Sequence, residues 1–308
     1  MITRINTLNT FIVIFTLALV VGCKSGEEAD DGQAGRDVGA VDTLKKRGYA
    51  PVNGLKMYYE IHGTPSDHNP PLVLLHGGGS TIDTSFGKVL RSFAKTRQVI
   101  AFEQQGHGHT ADIADRPFTF EQSADDTAAL LQHLNIEQAD FFGYSNGGSI
   151  VLQIAIRHPR IVRKLVVASA MFERDGLYPE FWESMQRATP EDMPPELRDA
   201  YLSVAPNRQD FPTFFAKSLK RMREFKDWPP EDIQSIEAPT LIIVGDADFV
   251  RPEHAVRMFR LLPYSRLAVL PGTDHMTLVE RSDWLVTMVE AFLDAPMPEP
   301  RQMKSTIE

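Results

Sequence analysis

The chain has 308 residues, 43% of them hydrophobic and 24% charged, with a net charge of −9 and a single cysteine. That is apolar material enough for a large core, and a lone cysteine rules out an intramolecular disulfide. The acidic balance argues against phosphate backbones and anionic lipid surfaces as partners, so nucleic acid is not expected.

The N-terminus has its own logic. Arg4 is followed by an apolar run near Phe11–Val21 and then Gly22-Cys23. A positive start, about a dozen apolar residues and a small residue at the cut site make a secretion signal over residues 1–22. Val20-Val21-Gly22-Cys23 resembles a bacterial lipobox, in which Cys23 becomes the lipidated first residue and holds the protein to a membrane. Residues 23–48 are rich in Gly, Asp and Glu and read as a flexible tether.

Order is expected from Tyr49. Tyr49–Val52 and Leu55–Ile61 flank Asn53-Gly54, a strong two-residue hairpin signal. Leu72–Leu75 and Val99–Phe102 are short, wholly apolar runs, as buried parallel strands are. Phe120–Leu134 is helical by period, with Thr119 as N-cap and Gln122 at the capping-box position. Asp140–Phe142 reads as a strand running into Gly143, Gly147–His158 as a helix stopped by Pro159, and Leu165–Ala168 as another buried strand.

The texture changes after Met171. Residues 171–236 are rich in aromatic, Met and Pro residues, with helical patterns over Tyr178–Arg187, Glu196–Val204 and Phe211–Phe225 and no strand. Strand–helix alternation returns over Thr240–Val244, Glu253–Leu261, Arg266–Leu270 and Trp284–Leu293. Repeated βα alternation implies an α/β fold with a mainly parallel sheet and helices on both faces. Residues 49–170 and 237–296 would form this core, 171–236 a helical cap inserted into it, and 297–308 a tail. The Met and aromatic residues of the insertion divide between its own small core and an apolar pocket, in proportions that the sequence leaves open.

Four segments carry chemistry. In Gly143-Tyr144-Ser145-Asn146-Gly147 a strand turns sharply into a helix, and glycines flank the apex where side chains have no room. Ser145 is thereby exposed at a helix N-terminus, where negative charge is favoured. A serine needs a base, and the base needs an acid to orient it. Gly245-Asp246-Ala247-Asp248 follows one strand and Pro271-Gly272-Thr273-Asp274-His275 follows the next, so both reach the crevice at the C-terminal edge of a parallel sheet. His275 is the candidate base, with Asp246 and Asp248 as competing acids. His76-Gly77-Gly78-Gly79-Ser80 follows the strand Leu72–Leu75 and can aim backbone N–H groups at a developing oxyanion. The donors assigned are Gly78 and Asn146, with Gly79 as the fallback for Gly78. His76 reads as a brace for that turn. His107-x-His109 lacks a supporting carboxylate cluster or cysteine, so no metal is expected, and Gly77-Gly78-Gly79 lacks the lysine of a phosphate-binding loop.

Taken together, these motifs resemble the α/β-hydrolase superfamily over nearly all of residues 49–296. Leu74-Leu75-His76-Gly77-Gly78 is similar to its oxyanion loop, Gly106-His107-Gly108 to the turn after the next strand, and Gly143-Tyr144-Ser145-Asn146-Gly147-Gly148 to its nucleophile elbow. Gly245-x-x-Asp248 with Val250, Pro252 and His254 is similar to its acid-bearing segment, which favours Asp248 over Asp246, and Pro271-Gly272-x-x-His275 to its histidine loop. Glu103-Gln104-Gln105-Gly106 departs from the usual Asp-x-Arg-Gly, which removes an expected ion pair. Asn146 departs from the usual Met or Gln, which leaves specificity open. A serine nucleophile is unlike the aspartate of the family's haloalkane dehalogenases and epoxide hydrolases.

The resemblance implies a serine hydrolase with Ser145, Asp248 and His275 as triad, no cofactor, and a small-molecule ester or amide substrate. Carboxylic ester cleavage is the leading expectation. A proline-iminopeptidase-like aminopeptidase would need cap acids for a free amine, for which Glu180, Glu183 and Glu191 are available. Peracid or C–C bond chemistry on the same triad is another alternative, and a catalytically silent binding protein is a fourth.

Overall fold

A computed structural model describes residues 43–297. The signal segment, Cys23, most of the tether and the end of the tail lie outside the described residues. The first hairpin pairs β1 (Leu44–Val52) with β2 (Leu55–His62) through Asn53 and Gly54, both at positive φ (46° and 86°), as a two-residue hairpin turn requires. Strand β1 starts at Leu44, earlier than the Tyr49 expected. Lys45, Lys46 and Arg47 are exposed on this edge strand, and charge at a sheet edge resembles a tether when read as sequence.

The remaining strands are β3 (Leu72–Leu75), β4 (Val99–Phe102), β5 (Ala139–Tyr144), β6 (Val162–Ala168), β7 (Thr240–Gly245) and β8 (Ser265–Leu270). They make one eight-stranded sheet in the order β1-β2-β4-β3-β5-β6-β7-β8, parallel from β4 to β8 and antiparallel at β1 and β2. The helices are α1 (Ile82–Phe86), α2 (Leu90–Phe93), α3 (Phe120–His133), α4 (Asn146–Arg157), α5 (Pro179–Arg187), α6 (Pro195–Val204), α7 (Phe211–Arg223), α8 (Pro230–Gln234), α9 (Pro252–Leu261), α10 (His275–Leu278) and α11 (Ser282–Asp294). Strand side chains alternate between the two faces. Val73, Leu75, Phe141, Ile242 and Val244 join α3, α4, α8 and α9 in one core; Leu72, Leu74, Phe142, Leu241 and Ile243 join α1, α2 and α11 in the other. Thr119 caps α3 by accepting from the Gln122 N–H, but the Gln122 side chain turns to Asp126 rather than closing a capping box.

The segment between β6 and α8 leaves the sheet and carries α5, α6 and α7. Met193, Tyr201 and Phe214 pack there with Phe118 as a small separate core. The aromatic residues Phe225 and Trp228 instead pack on Phe120 in the main core.

His254 on α9 pins the start of this segment. Its Nε2 accepts the Phe172 N–H at 3.2 Å and its ring stacks on Phe172 at 4.6 Å. That acceptor role needs an unprotonated Nε2, and burial pushes the His254 pKa down to about 4. The folded value thus lies below the unfolded one near 6.5, so this contribution to stability is complete above pH ~6.5 and is lost as pH falls toward 4. Urea unfolding at pH 7 and pH 4.5 should show His254→Phe losing up to about 2–3 kcal/mol less than the parent on acidification. An equal loss in both proteins would refute the role.

Candidate active site

Five loops meet along the C-terminal edge of the parallel strands, because β3, β5, β6, β7 and β8 are consecutive neighbours in the sheet. The tightest is the β5–α4 turn. A methyl group on Gly143 would overlap the Gly147 carbonyl oxygen, and one on Gly147 would overlap the Leu75 carbonyl oxygen. Ser145 sits between them at φ 56°, ψ −123°, a strained conformation for a residue with a side chain, typically costing ~1–3 kcal/mol. The strain is held by the Ser145 N–H bond to the Ala168 carbonyl at 2.8 Å and by packing of α4 on the sheet.

The structure brings Ser145, His275 and Asp248 into one hydrogen-bonded chain. His275 Nε2 lies 2.9 Å from Ser145 Oγ, and His275 Nδ1 lies 2.9 Å from Asp248 Oδ1. His275 opens α10, whose N-cap Asp274 accepts from the Thr277 N–H at 2.8 Å. Tyr144 Oη donates to the His275 carbonyl at 2.6 Å, and Phe249 stacks on the imidazole at 3.9 Å. Burial, reinforced by the Asp248 charge, pushes the Tyr144 phenol far up, so it remains a donor.

Asp248 is 3% exposed and fully engaged. Oδ1 also accepts from the Val250 N–H at 2.9 Å, and Oδ2 accepts from Ser169 Oγ at 2.5 Å. The competing Asp246 is exposed and accepts from the Thr273 N–H at 3.2 Å, which ties its own loop to the histidine loop. Ser169 escaped the sequence reading. Its signal was position alone, one residue past β6, the strand between the two whose following turns carry Ser145 and Asp248. Ser169→Ala should cost about 1–3 kcal/mol in stability, as expected for a buried bond to a charged group, and lower kcat roughly tenfold with little change in KM. A variant with wild-type kcat would show that Val250 suffices to hold Asp248.

The loop after β3, the candidate oxyanion loop, is held by side chains packed against it. His76 Nδ1 donates to the Gly77 carbonyl at 2.8 Å, while Nε2 accepts the Gln104 N–H at 3.1 Å. His107 Nε2 accepts the Gly79 N–H at 3.4 Å, and Ser85 Oγ accepts the Gly77 N–H at 3.1 Å. Burial pushes the His76 pKa down and that of His107 well below the usual range, so both stay neutral acceptors. Among the described residues, the N–H groups of Gly78 and Asn146 meet no acceptor. The fallback Gly79 is already committed to His107. His109 turns away from His107, pairs with Glu103 at 2.8 Å and stacks on Tyr58. Where the family has an arginine, the Gln105 amide donates to the Asp112 carboxylate and the Arg116 carbonyl and accepts from the Arg116 guanidinium, so a neutral side chain bridges charged ones in place of the missing ion pair.

A cavity of about 1110 Å³ opens over Ser145 and His275. Its wall is mostly apolar, with Met171, Phe181, Met185, Phe214, Phe215 and Met222 contributed by the inserted segment. Phe181, Met185, Phe215 and Met222 face the cavity, Met171 and Phe214 belong to the cores and also reach its wall, and Phe172, Phe225 and Trp228 belong to the core alone. Glu180, Glu183 and Glu191 are exposed and do not line it.

Comparison with known proteins points one way. The model of the "Alpha/beta hydrolase family" matches residues 72–288. The 2-hydroxymuconate semialdehyde hydrolase of Pseudomonas sp. (strain CF600) is 29% identical over 245 residues, covering 72% of this chain and 86% of that relative. The proline iminopeptidase of Lactobacillus helveticus (strain DPC 4571) is 26% identical over 295 residues, covering 80% of this chain and 97% of that relative. The crystal structure of the enol-lactonase from Burkholderia xenovorans LB400 shares the fold with a TM-score of 0.66 at 23% identity, over 80% of this chain and all of that one (100%).

Proposed function

The chain belongs to the alpha/beta hydrolase family, and from that premise we propose that it cleaves carboxylic esters through an acyl-enzyme on Ser145. The observation that carries the reading is the Asp248–His275–Ser145 chain opening under an apolar cavity, beside two backbone N–H groups with no acceptor of their own.

Ser145 Oγ attacks the ester carbonyl while His275 Nε2 takes its proton. The Gly78 and Asn146 N–H groups receive the charge that forms on the carbonyl oxygen. His275 returns the proton to the leaving alcohol, then takes one from water to release the acid. Asp248 fixes the imidazole with its proton on Nδ1 and balances its charge in the transition state. Residues 171–236 act as the cap that shapes the acyl pocket. Lipidation at Cys23 would hold the enzyme at a membrane outside the cytoplasm; an N-terminal peptide without the acyl mass would rule that out.

Relatives named 2-hydroxymuconate semialdehyde hydrolase and proline iminopeptidase match the chain, so the bond is the part to test. The mostly apolar wall supports an ester; Glu180, Glu183 and Glu191 face outward, and the acids of the inserted segment that do line the cavity, Asp192 and Glu196, are the ones a free amine would use. Nitrophenyl acetate, butyrate and octanoate should be hydrolysed at least ~100-fold faster than prolyl arylamide or a vinylogous 1,5-diketone acid, a preference of about 3 kcal/mol. Faster turnover of either competitor would replace the ester assignment while keeping the triad.

A further inference from the structure

Arg221 on α7 is buried without an acidic partner. The residue is 6% exposed, and its Nε and Nη2 atoms meet no hydrogen-bond acceptor. Among the described residues it forms no ion pair, and its contacts are the faces of Phe118 and Phe120, at 5.9 and 5.2 Å. Burial alone pushes its pKa down, to about 10, so it still carries its charge at neutral pH. A guanidinium so placed is costly to keep, since cation–π contacts offset only part of its desolvation.

Its location gives the charge a use. A methyl carbon built on Gly78 would collide with Asn146 Nδ2 and lie 3.6 Å from Arg221 Nη2. The guanidinium therefore lies beside Gly78, one of the two residues whose N–H groups are free, and Gly78 in turn abuts the Asn146 side chain. Ser218, one turn earlier on the same helix, lines the cavity with a hydroxyl that also lacks a partner. A substrate carboxylate is the less favoured counter-charge: Asp83, Asp192, Glu196 and Glu280 outnumber Lys88 and Arg187 on the cavity wall.

We propose that Arg221 is a positioning residue for the reaction at Ser145, its unpaired charge making the Gly78–Asn146 oxyanion site electropositive. The inference rests on the serine-hydrolase reading above. The charge is fixed before reaction, needs no reorganisation, and is itself buried away from water, conditions under which electrostatic stabilisation is strong. It acts on the tetrahedral species and little on the neutral bound ester, so it belongs in kcat.

The test is Arg221→Met beside Arg221→Lys in the otherwise intact protein, with a neutral butyrate ester, a half-ester of glutarate and an alkyl boronic acid. The boronate becomes a tetrahedral anion on Ser145, so it reports on the site whichever bond the enzyme prefers. Arg221→Met should lose roughly 10–100-fold in kcat on the neutral ester, keep KM within about twofold, and weaken boronate binding by the same factor. Arg221→Lys should recover most of the rate. The methionine variant should melt no lower than the parent, because a buried unpaired charge has been removed; a merely structural arginine would give the opposite. Unchanged kcat and boronate affinity would overturn the proposal, as would a loss confined to KM for the half-ester, which would make Arg221 a substrate-carboxylate subsite. A wild-type protein that neither turns over the esters nor binds the boronate would instead sink the serine-hydrolase reading itself.

Discussion

Ser145→Ala should lower kcat/KM on nitrophenyl esters by roughly 10⁴–10⁶ while the protein stays folded. The size follows from what Oγ alone supplies. Among the described residues no other hydroxyl is hydrogen-bonded to His275 Nε2, so no second nucleophile inherits the base. The fold should barely respond, because Ser145 is fixed by backbone. Its N–H bond to Ala168 and the close approach of Gly143 and Gly147 do not involve Oγ. Alanine at φ 56° carries the same strain as serine, so the unfolding free energy should stay within about 1 kcal/mol of the parent. Residual activity over water would come from the oxyanion donors and the cavity. A variant that keeps more than a few per cent of the rate would move the chemistry off Ser145.

Much of this arrangement was legible as sequence because the core strands obey one rule. Leu72–Leu75 and Val99–Phe102 have to be apolar at every position, since helices cover both faces, and they are buried at every position. The glycines at 143 and 147 were legible for a related reason, as backbone approaches there leave no volume for a side chain. Edges and neighbours were harder. Lys45, Lys46 and Arg47 belong to a strand, but a strand with only one partner need not be apolar. The helices α1 and α2 are too short to show a period. Ser169 and Arg221 were invisible because their importance comes from tertiary contacts. The order of strands in the sheet puts Ser169 beside Asp248, and α7 reads as basic and solvated from Lys220 to Arg223 although Arg221 is buried. The choice of Asp248 over Asp246 came from resemblance, whereas the structure separates the two by burial and by which loop each one bonds.

That separation makes the second large effect specific. Asp248→Asn should reduce kcat about 10³-fold, and Asp246→Asn less than about threefold. Three donors converge on the Asp248 carboxylate: His275 Nδ1–H and the Val250 N–H on Oδ1, and the Ser169 hydroxyl on Oδ2. An amide can accept at only one of these atoms. With its oxygen at the Oδ1 position, both of those donors stay satisfied, and the Ser169 hydroxyl turns to accept from the new N–H. This orientation keeps the imidazole proton on Nδ1, so the loss is that of the negative charge facing the imidazolium. With the amide nitrogen at the Oδ1 position, it would face the Val250 N–H and force His275 to accept at Nδ1. The proton would then sit on Nε2, pointing at Ser145, and no base would remain. Removing Ser169 tests which orientation is adopted. If Ser169 selects the productive one, Asp248→Asn combined with Ser169→Ala should be slower than the product of the single effects. If the effects multiply, Val250 alone sets the amide, and the backbone N–H rather than the hydroxyl is what holds the acid in register with His275.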